Sequence, residues 1–270
     1  MEEGPIFISS QIPDKNKLIE ISQGMDSRPY SFYMIFQSNI FIERYINSLD
    51  QIDRLKKRRR LADYYETIDS KIRSCKREFI LVLYYYQEGV HDKRTGNYID
   101  EDGNLKSFSN IIPKEVSGLD ESEEYTNFFW YKDSIEKYLY QFYSSYNLIY
   151  FIIKELFDLS TLYAENSSMF RKDIIKELKE KGYQDIANLL NEFFQKYKKT
   201  IFDWRNAFVH YQNPFKVLRE DQIGFPDTKS RIKEFSMVKV YSEVISSWNE
   251  FAETCLALED KVSIELKENL

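Results

Sequence analysis

The amino-acid sequence predicts an all-α fold, and three observations carry that expectation. Glycine and proline are scarce, eight and six in 270 residues, too few for the closely spaced turns of a sandwich or barrel. Apolar residues recur at spacings of three and four over stretches of up to about six turns, the period of helices with one buried stripe. With 43% apolar and 16% aromatic residues, the chain has the material for a sizeable core. No Ser/Gly/Pro-rich linker separates two regimes of composition, so a single domain over residues 1–270 with appendages is expected.

Residues 1–28 hold Pro5, Pro13 and Gly24 with little periodicity, and read as an irregular N-terminal arm with a short strand near Ile6 to Ile8. The segment 29–88 reads as an N-terminal helical extension. Phe32, Ile35, Ile42, Ile46 and Leu49 form one stripe, and Ser48 with Gln51 has the spacing of a capping box that restarts a helix. Leu61, Tyr64, Ile68, Ile72, Cys75, Phe79, Val82 and Tyr86 then mark a long amphipathic helix. Between Gly89 and Gly118 the helical period disappears. Asp102-Gly103, between Tyr98/Ile99 and Leu105/Phe108, has the form of a hairpin tip, so 89–120 reads as an acidic loop with a small β-hairpin insertion.

The main helical core is expected over 121–266. Ile135, Tyr138, Leu139, Phe142, Tyr146, Ile149, Ile153, Leu156 and Phe157 make a third stripe ending near Ser160. A shorter helix follows from Met169 to Lys181, with Ser168 as N-cap and Gly182 placed for a left-handed C-terminal cap. Ile186, Leu190, Phe193, Tyr197, Ile201, Trp204 and Phe208 define a fourth helix that Pro214 stops. After a loop from Asn213 to Ser230, Val238, Tyr241, Ile245, Trp248, Ala252, Cys255 and Val262 define the last.

Composition excludes several functions. The glycines lie at least seven positions apart, which rules out both G-x-G-x-x-G and the phosphate-binding loop. Two histidines, two distant cysteines and no H-E-x-x-H leave no metal site of the usual kind, and His91 reads as a solvated loop residue. A calcium loop at Asp100, Asp102 and Asn104 fails because Leu105 stands where glycine belongs and Ile111 where the last glutamate belongs. No cofactor is expected. The N-terminus lacks a basic region followed by an apolar run, and no stretch of about 18 apolar residues occurs, so a cytoplasmic protein without membrane contact is expected. Cys75 and Cys255 sit on apolar stripes and read as core residues of a reducing compartment. The net charge of −6 gives no overall attraction to nucleic acid.

Chemistry concentrates in one segment, Asp203-Trp204-Arg205-Asn206-Ala207-Phe208-Val209-His210-Tyr211. At about 100° per residue, Tyr197, Ile201, Trp204 and Phe208 share the core face, while Asp203, Asn206 and His210 share a polar stripe away from it. Arg205 falls at the edge of the core face, roughly 140° from His210. For the two to meet on one phosphate, the arginine wraps around the helix, the helix loosens before Pro214, or two copies face each other. On chemistry alone the stripe reads first as a solvated helix face, as most polar stripes are.

The pattern Arg205-Asn206-x-x-x-His210 resembles the signature of the HEPN superfamily. It lies late in an all-α chain and precedes one more long helix, which is similar to the HEPN helical bundle. The resemblance implies a homodimeric, metal-independent endoribonuclease of toxin–antitoxin or anti-phage defence systems, with RNA as substrate and an antitoxin or defence-system protein as partner. It implies that Arg205 and His210 are the catalytic pair, with Asn206 arranging them and Asp203 and Tyr211 as flanking support. In one toxin subgroup a tyrosine stands two positions after the histidine; here that position is Gln212 and Tyr211 comes one earlier, which argues against regulation by tyrosine modification. Lys56-Lys57-Arg58-Arg59-Arg60 suits RNA backbone contacts, although five consecutive helical positions sweep most of the circumference and equally fit a solvated face. The competing function is a non-catalytic helical module that binds a protein or a nucleotide.

Overall fold

A computed structural model describes residues 13–24, 39–88, 95–99, 105–109, 121–161, 168–210 and 237–268, with His210 described by its backbone. Among the described residues the fold is all-α apart from one hairpin. Its elements are α1 (Lys15–Gly24), α2 (Ile40–Ser48), α3 (Gln51–Gln87), β1 (Thr95–Ile99), β2 (Leu105–Ser109), α4 (Glu121–Leu156), α5 (Ser168–Glu180), α6 (Gln184–Tyr197), α7 (Asp203–His210) and α8 (Met237–Glu268). A π-helical stretch, Lys198–Phe202, joins α6 to α7. The strands β1 and β2 pair antiparallel, with Ile99 opposite Leu105 and Thr95 opposite Ser109, as the sequence predicts. The Asp102-Gly103 tip, the strand near Ile6, His91, the calcium-like positions Asp100 and Asn104, and the loop around Pro214 lie outside the described residues.

Local chemistry sets the boundaries. Asn39 Oδ1 accepts from the amides of Phe41 at 3.0 Å and Ile42 at 3.2 Å and starts α2. The expected capping box at Ser48 is not the one used. Leu49 is extended, at φ −72° and ψ 157°, so the helix restarts two residues later, where Asp50 Oδ1 accepts from Ile52 N at 2.9 Å and Asp53 N at 3.1 Å. Those backbone donors hold the Asp50 carboxyl below its ordinary pKa, and Ser48 Oγ donates instead to Tyr45 O at 2.7 Å. At the end of α5, Gly182 has φ +92°. Its amide donates to Lys179 O and that of Tyr183 to Leu178 O, the paired bonds of a Schellman cap.

The chain divides into two compact units. One comprises Met1–Met25, Lys76–Tyr140 and Thr200–Ile245; the other comprises Asp26–Cys75, Gln141–Lys199 and Ser246–Leu270. In the first, Phe79, Tyr131, Ile135, Tyr138, Trp204, Val240 and Val244 are buried, Tyr86 stacks on Tyr241 at 4.0 Å, and Tyr138 Oη donates to Val244 O at 3.3 Å. In the second, Phe142 packs on Phe251 at 5.1 Å and Phe193 on Tyr197 at 5.0 Å, while Tyr146 Oη donates to Leu190 O at 2.7 Å. Each aromatic ring buried in this way contributes roughly 2–3 kcal/mol by removing apolar area from water. Cys75 and Cys255 are buried and form no disulfide, and burial pushes the Cys255 thiol well up.

Candidate functional site

The segment singled out by the sequence lies in the first unit, on α7. Trp204 and Ala207 are buried, whereas Phe208 is half-buried; Ala207 takes the core position expected of Phe208. Positions three and four after Trp204 both border its face, and the smaller Ala207 is the one that is buried. In the π turn that precedes α7, which bonds to the fifth residue rather than the fourth, Ile201 and Phe202 are buried consecutively. Thr200 Oγ1 donates to Glu243 Oε2 at 3.1 Å, tying this stretch to α8.

Arg205 and Asn206 are half-buried neighbours. Arg205 Nη1 donates to Asn206 Oδ1 at 3.2 Å, and its Cζ lies 5.9 Å from the ring centroid of Tyr140 on α4. The Tyr140 phenol is raised above its ordinary pKa, first by burial and then by the Glu136 carboxylate, with Arg205 pulling the other way. Burial likewise raises the Glu136 carboxyl, against the pull of Lys132 and Lys137. Sequence reasoning missed Tyr140 and Glu136. Both lie beside the third apolar stripe, 65 and more positions from Arg205, and nothing local marks either one.

Of the other expected site residues, Asp203 is half-buried at the start of α7. The helix stays α-helical through His210, so positions 205 and 210 remain roughly 140° apart. Asp203–His210 is therefore not loosened. The His210 side chain and Tyr211 lie outside what the structure describes.

The basic run belongs to α3 in the second unit. Lys57 is 6% exposed. Its Nζ donates to both Asp158 carboxylate oxygens at 2.7 Å and to Tyr45 Oη at 3.2 Å, so this buried ammonium is already paired with a carboxylate that is itself largely exposed. Arg58 pairs with Glu43 at 2.8 Å, and Arg60 lies 3.4 Å from Glu155. Lys56 and Arg59 are exposed. Asp158, at φ 47°, ends α4 and presents its carbonyl to Lys181 Nζ at 3.0 Å, a cation at a helix C-terminus.

Among the described residues no group of three His, Cys, Asp or Glu is placed to hold a metal ion, and no helix is long and apolar enough to cross a membrane. No curated protein and no solved structure matches the chain. A family model does: that of HEPN_Cthe2314-like HEPN proteins, over residues 64–263. This span contains α7 and reaches back to Tyr64, well before residue 121, so most of α3 is family structure. With nearly three quarters of its length matched and an all-α bundle around α7, the chain belongs to the HEPN_Cthe2314-like HEPN family.

Proposed function

We propose that this protein is a metal-independent HEPN endoribonuclease that leaves 2′,3′-cyclic phosphate and 5′-OH ends. One observation carries the reading: within a family match over 64–263, Arg205 stands beside Asn206 on a regular helix that His210 closes. In the reaction the neighbouring 2′-oxygen attacks phosphorus and the bond to the 5′-oxygen breaks. The 2′-OH gives up its proton and the leaving oxygen gains one, the task of His210, while Arg205 offsets the charge that builds on the phosphoryl oxygens.

The 140° between positions 205 and 210 favours a two-fold dimer in which the arginine of one copy and the histidine of the other meet on one phosphate. Dimers of this kind act as toxins or in anti-phage defence in the cytoplasm, under the control of an antitoxin or another defence-system protein. The test is incubation of the purified chain with end-labelled RNA in EDTA. Cleavage persists there, His210→Ala lowers the rate by about 10²- to 10⁴-fold, and sedimentation gives twice the chain mass of 32.5 kDa. If His210→Ala cuts as fast as the parent, the nuclease reading falls and a non-catalytic binding module replaces it.

A further inference from the structure

Two cations of the second unit are almost equally buried, and they are accommodated in opposite ways. Lys57, at 6% exposure, is neutralised by Asp158. Arg171, at 8%, has no carboxylate partner among the described residues. Its Nη1 makes two hydrogen bonds, to Tyr143 Oη and Asn147 Oδ1, both at 2.9 Å. Its Cζ lies 5.4 Å from the Tyr143 ring centroid and 4.9 Å from that of Phe194. All of these partners are neutral. α5 carries no acidic residue in its first turn, and Arg171 is the ion whose field reaches the buried phenols of Tyr146 and Tyr150. A charge held this deep without a counter-charge is costly, and proteins seldom leave one so.

The choice of Nη1 matters. This is the terminal nitrogen on the Cδ side of the guanidinium, so two bonds there leave Nε–H and one Nη2–H side by side on the other edge. That edge is the fork which meets two oxygens of a single oxyanion. Tyr143 and Asn147 fix the direction of the fork, and the rings of Tyr143 and Phe194 lie close to its carbon, so little rotamer freedom remains to be lost on binding. We propose that Arg171 is a preorganised binding site for a phosphate group, its Nε/Nη2 edge taking two phosphate oxygens. Phosphate fits because two of its oxygens match the fork, others stay in water, and its charge supplies what the neutral cage lacks. Inorganic phosphate and the phosphate of a nucleotide share this chemistry. The site is independent of the nuclease reading, because it uses neither Arg205 nor His210.

The test is titration of the full chain with inorganic phosphate and, separately, with adenosine 5′-monophosphate, at constant ionic strength made up with chloride. Calorimetry reads binding and thermal melting reads stabilisation. Saturable binding with a raised Tm is expected in the parent. Arg171→Lys keeps the charge but loses the fork, and binds about tenfold or more weakly. Tyr143→Phe keeps the ring, loses one Nη1 anchor and binds several-fold more weakly, which serves if Arg171→Lys does not fold. Tighter binding of the nucleotide than of phosphate assigns the source to nucleotides, and equal binding assigns it to the free ion. The proposal is overturned if the parent shows no saturable binding of either ligand, or if the folded Arg171 and Tyr143 variants bind as tightly as the parent.

Discussion

The guanidinium of Arg205 faces the ring of Tyr140 at 5.9 Å while Asn206 Oδ1 holds its Nη1 at 3.2 Å. Arg205 and Asn206 thus share one contact set with a tyrosine of α4. Arg205 favours the phenolate and partly offsets the burial and the Glu136 charge that raise Tyr140. Removing that pull in Arg205→Ala shifts the Tyr140 titration to higher pH. Carbon-13 NMR of labelled tyrosine across alkaline pH reads the shift, and an unchanged or lowered titration point refutes the contact.

Trp204 and Asn206 are two positions apart on α7, and their replacement has unlike consequences. Trp204 is 2% exposed, so Trp204→Ala leaves a cavity and costs about 3–5 kcal/mol. Asn206 is half-buried and its oxygen serves Arg205; Asn206→Ala costs at most about 1 kcal/mol of stability while slowing RNA cleavage. Urea unfolding and cleavage assays on both variants check the pair. Equal losses of stability contradict this placement of the two faces.

Gly182 shows how a cap is held by conformation rather than by contact. Nothing lies within 4 Å of a Cβ built at this position, but its φ is +92°. Gly182→Ala therefore meets no clash and still costs about 1 kcal/mol through the backbone, and Gly182→Asn costs less. Thermal melting of the two variants should rank them in that order below the parent, and the reverse order excludes the left-handed cap.

Buried tyrosines give this protein an alkaline limit. Burial is the main reason that Tyr85 is pushed up to about 12 and that Tyr65 and Tyr150 lie well above the ordinary phenol value. The unfolded chain gives up these protons near pH 10, so above that pH the folded state binds more protons than the unfolded one. Stability is complete below about pH 10 and falls as pH rises towards 12. Urea midpoints measured between neutral pH and pH 11 should drop above about pH 10, less steeply in Tyr85→Phe. A midpoint that stays level through this range rules the account out.

What the sequence shows is mostly what is local in the chain. The Gly182 cap is readable because its determinants lie within five residues, and the motif at Arg205 because it fits in two turns of helix. Ser48 misleads because an extended Leu49 breaks a box whose spacing is otherwise right. The π-helical stretch is hidden, since Lys198-Lys199-Thr200-Ile201-Phe202 contains no glycine or proline to mark an irregular turn. Lys57 reads as part of a basic run because the carboxylate that buries it, Asp158, stands 101 positions away. Tyr140 is one of 21 tyrosines, and its nearness to Arg205 comes from packing that no spacing rule reports.

Asn39 caps α2 with its oxygen and donates from its amide to Ser263 Oγ at 2.6 Å, a residue 224 positions later. The unit that buries Ile42 and Ile46 includes residues 246–270. At roughly 5–20 residues per second of translation, Asn39 leaves the peptidyl transferase about 10–45 s before its partner is made. During that interval α2 has its own cap but lacks the surface that completes it, and the nascent chain carries exposed isoleucines that attract chaperones or proteases. α2, among the first helices to be synthesised, is among the last to be secured.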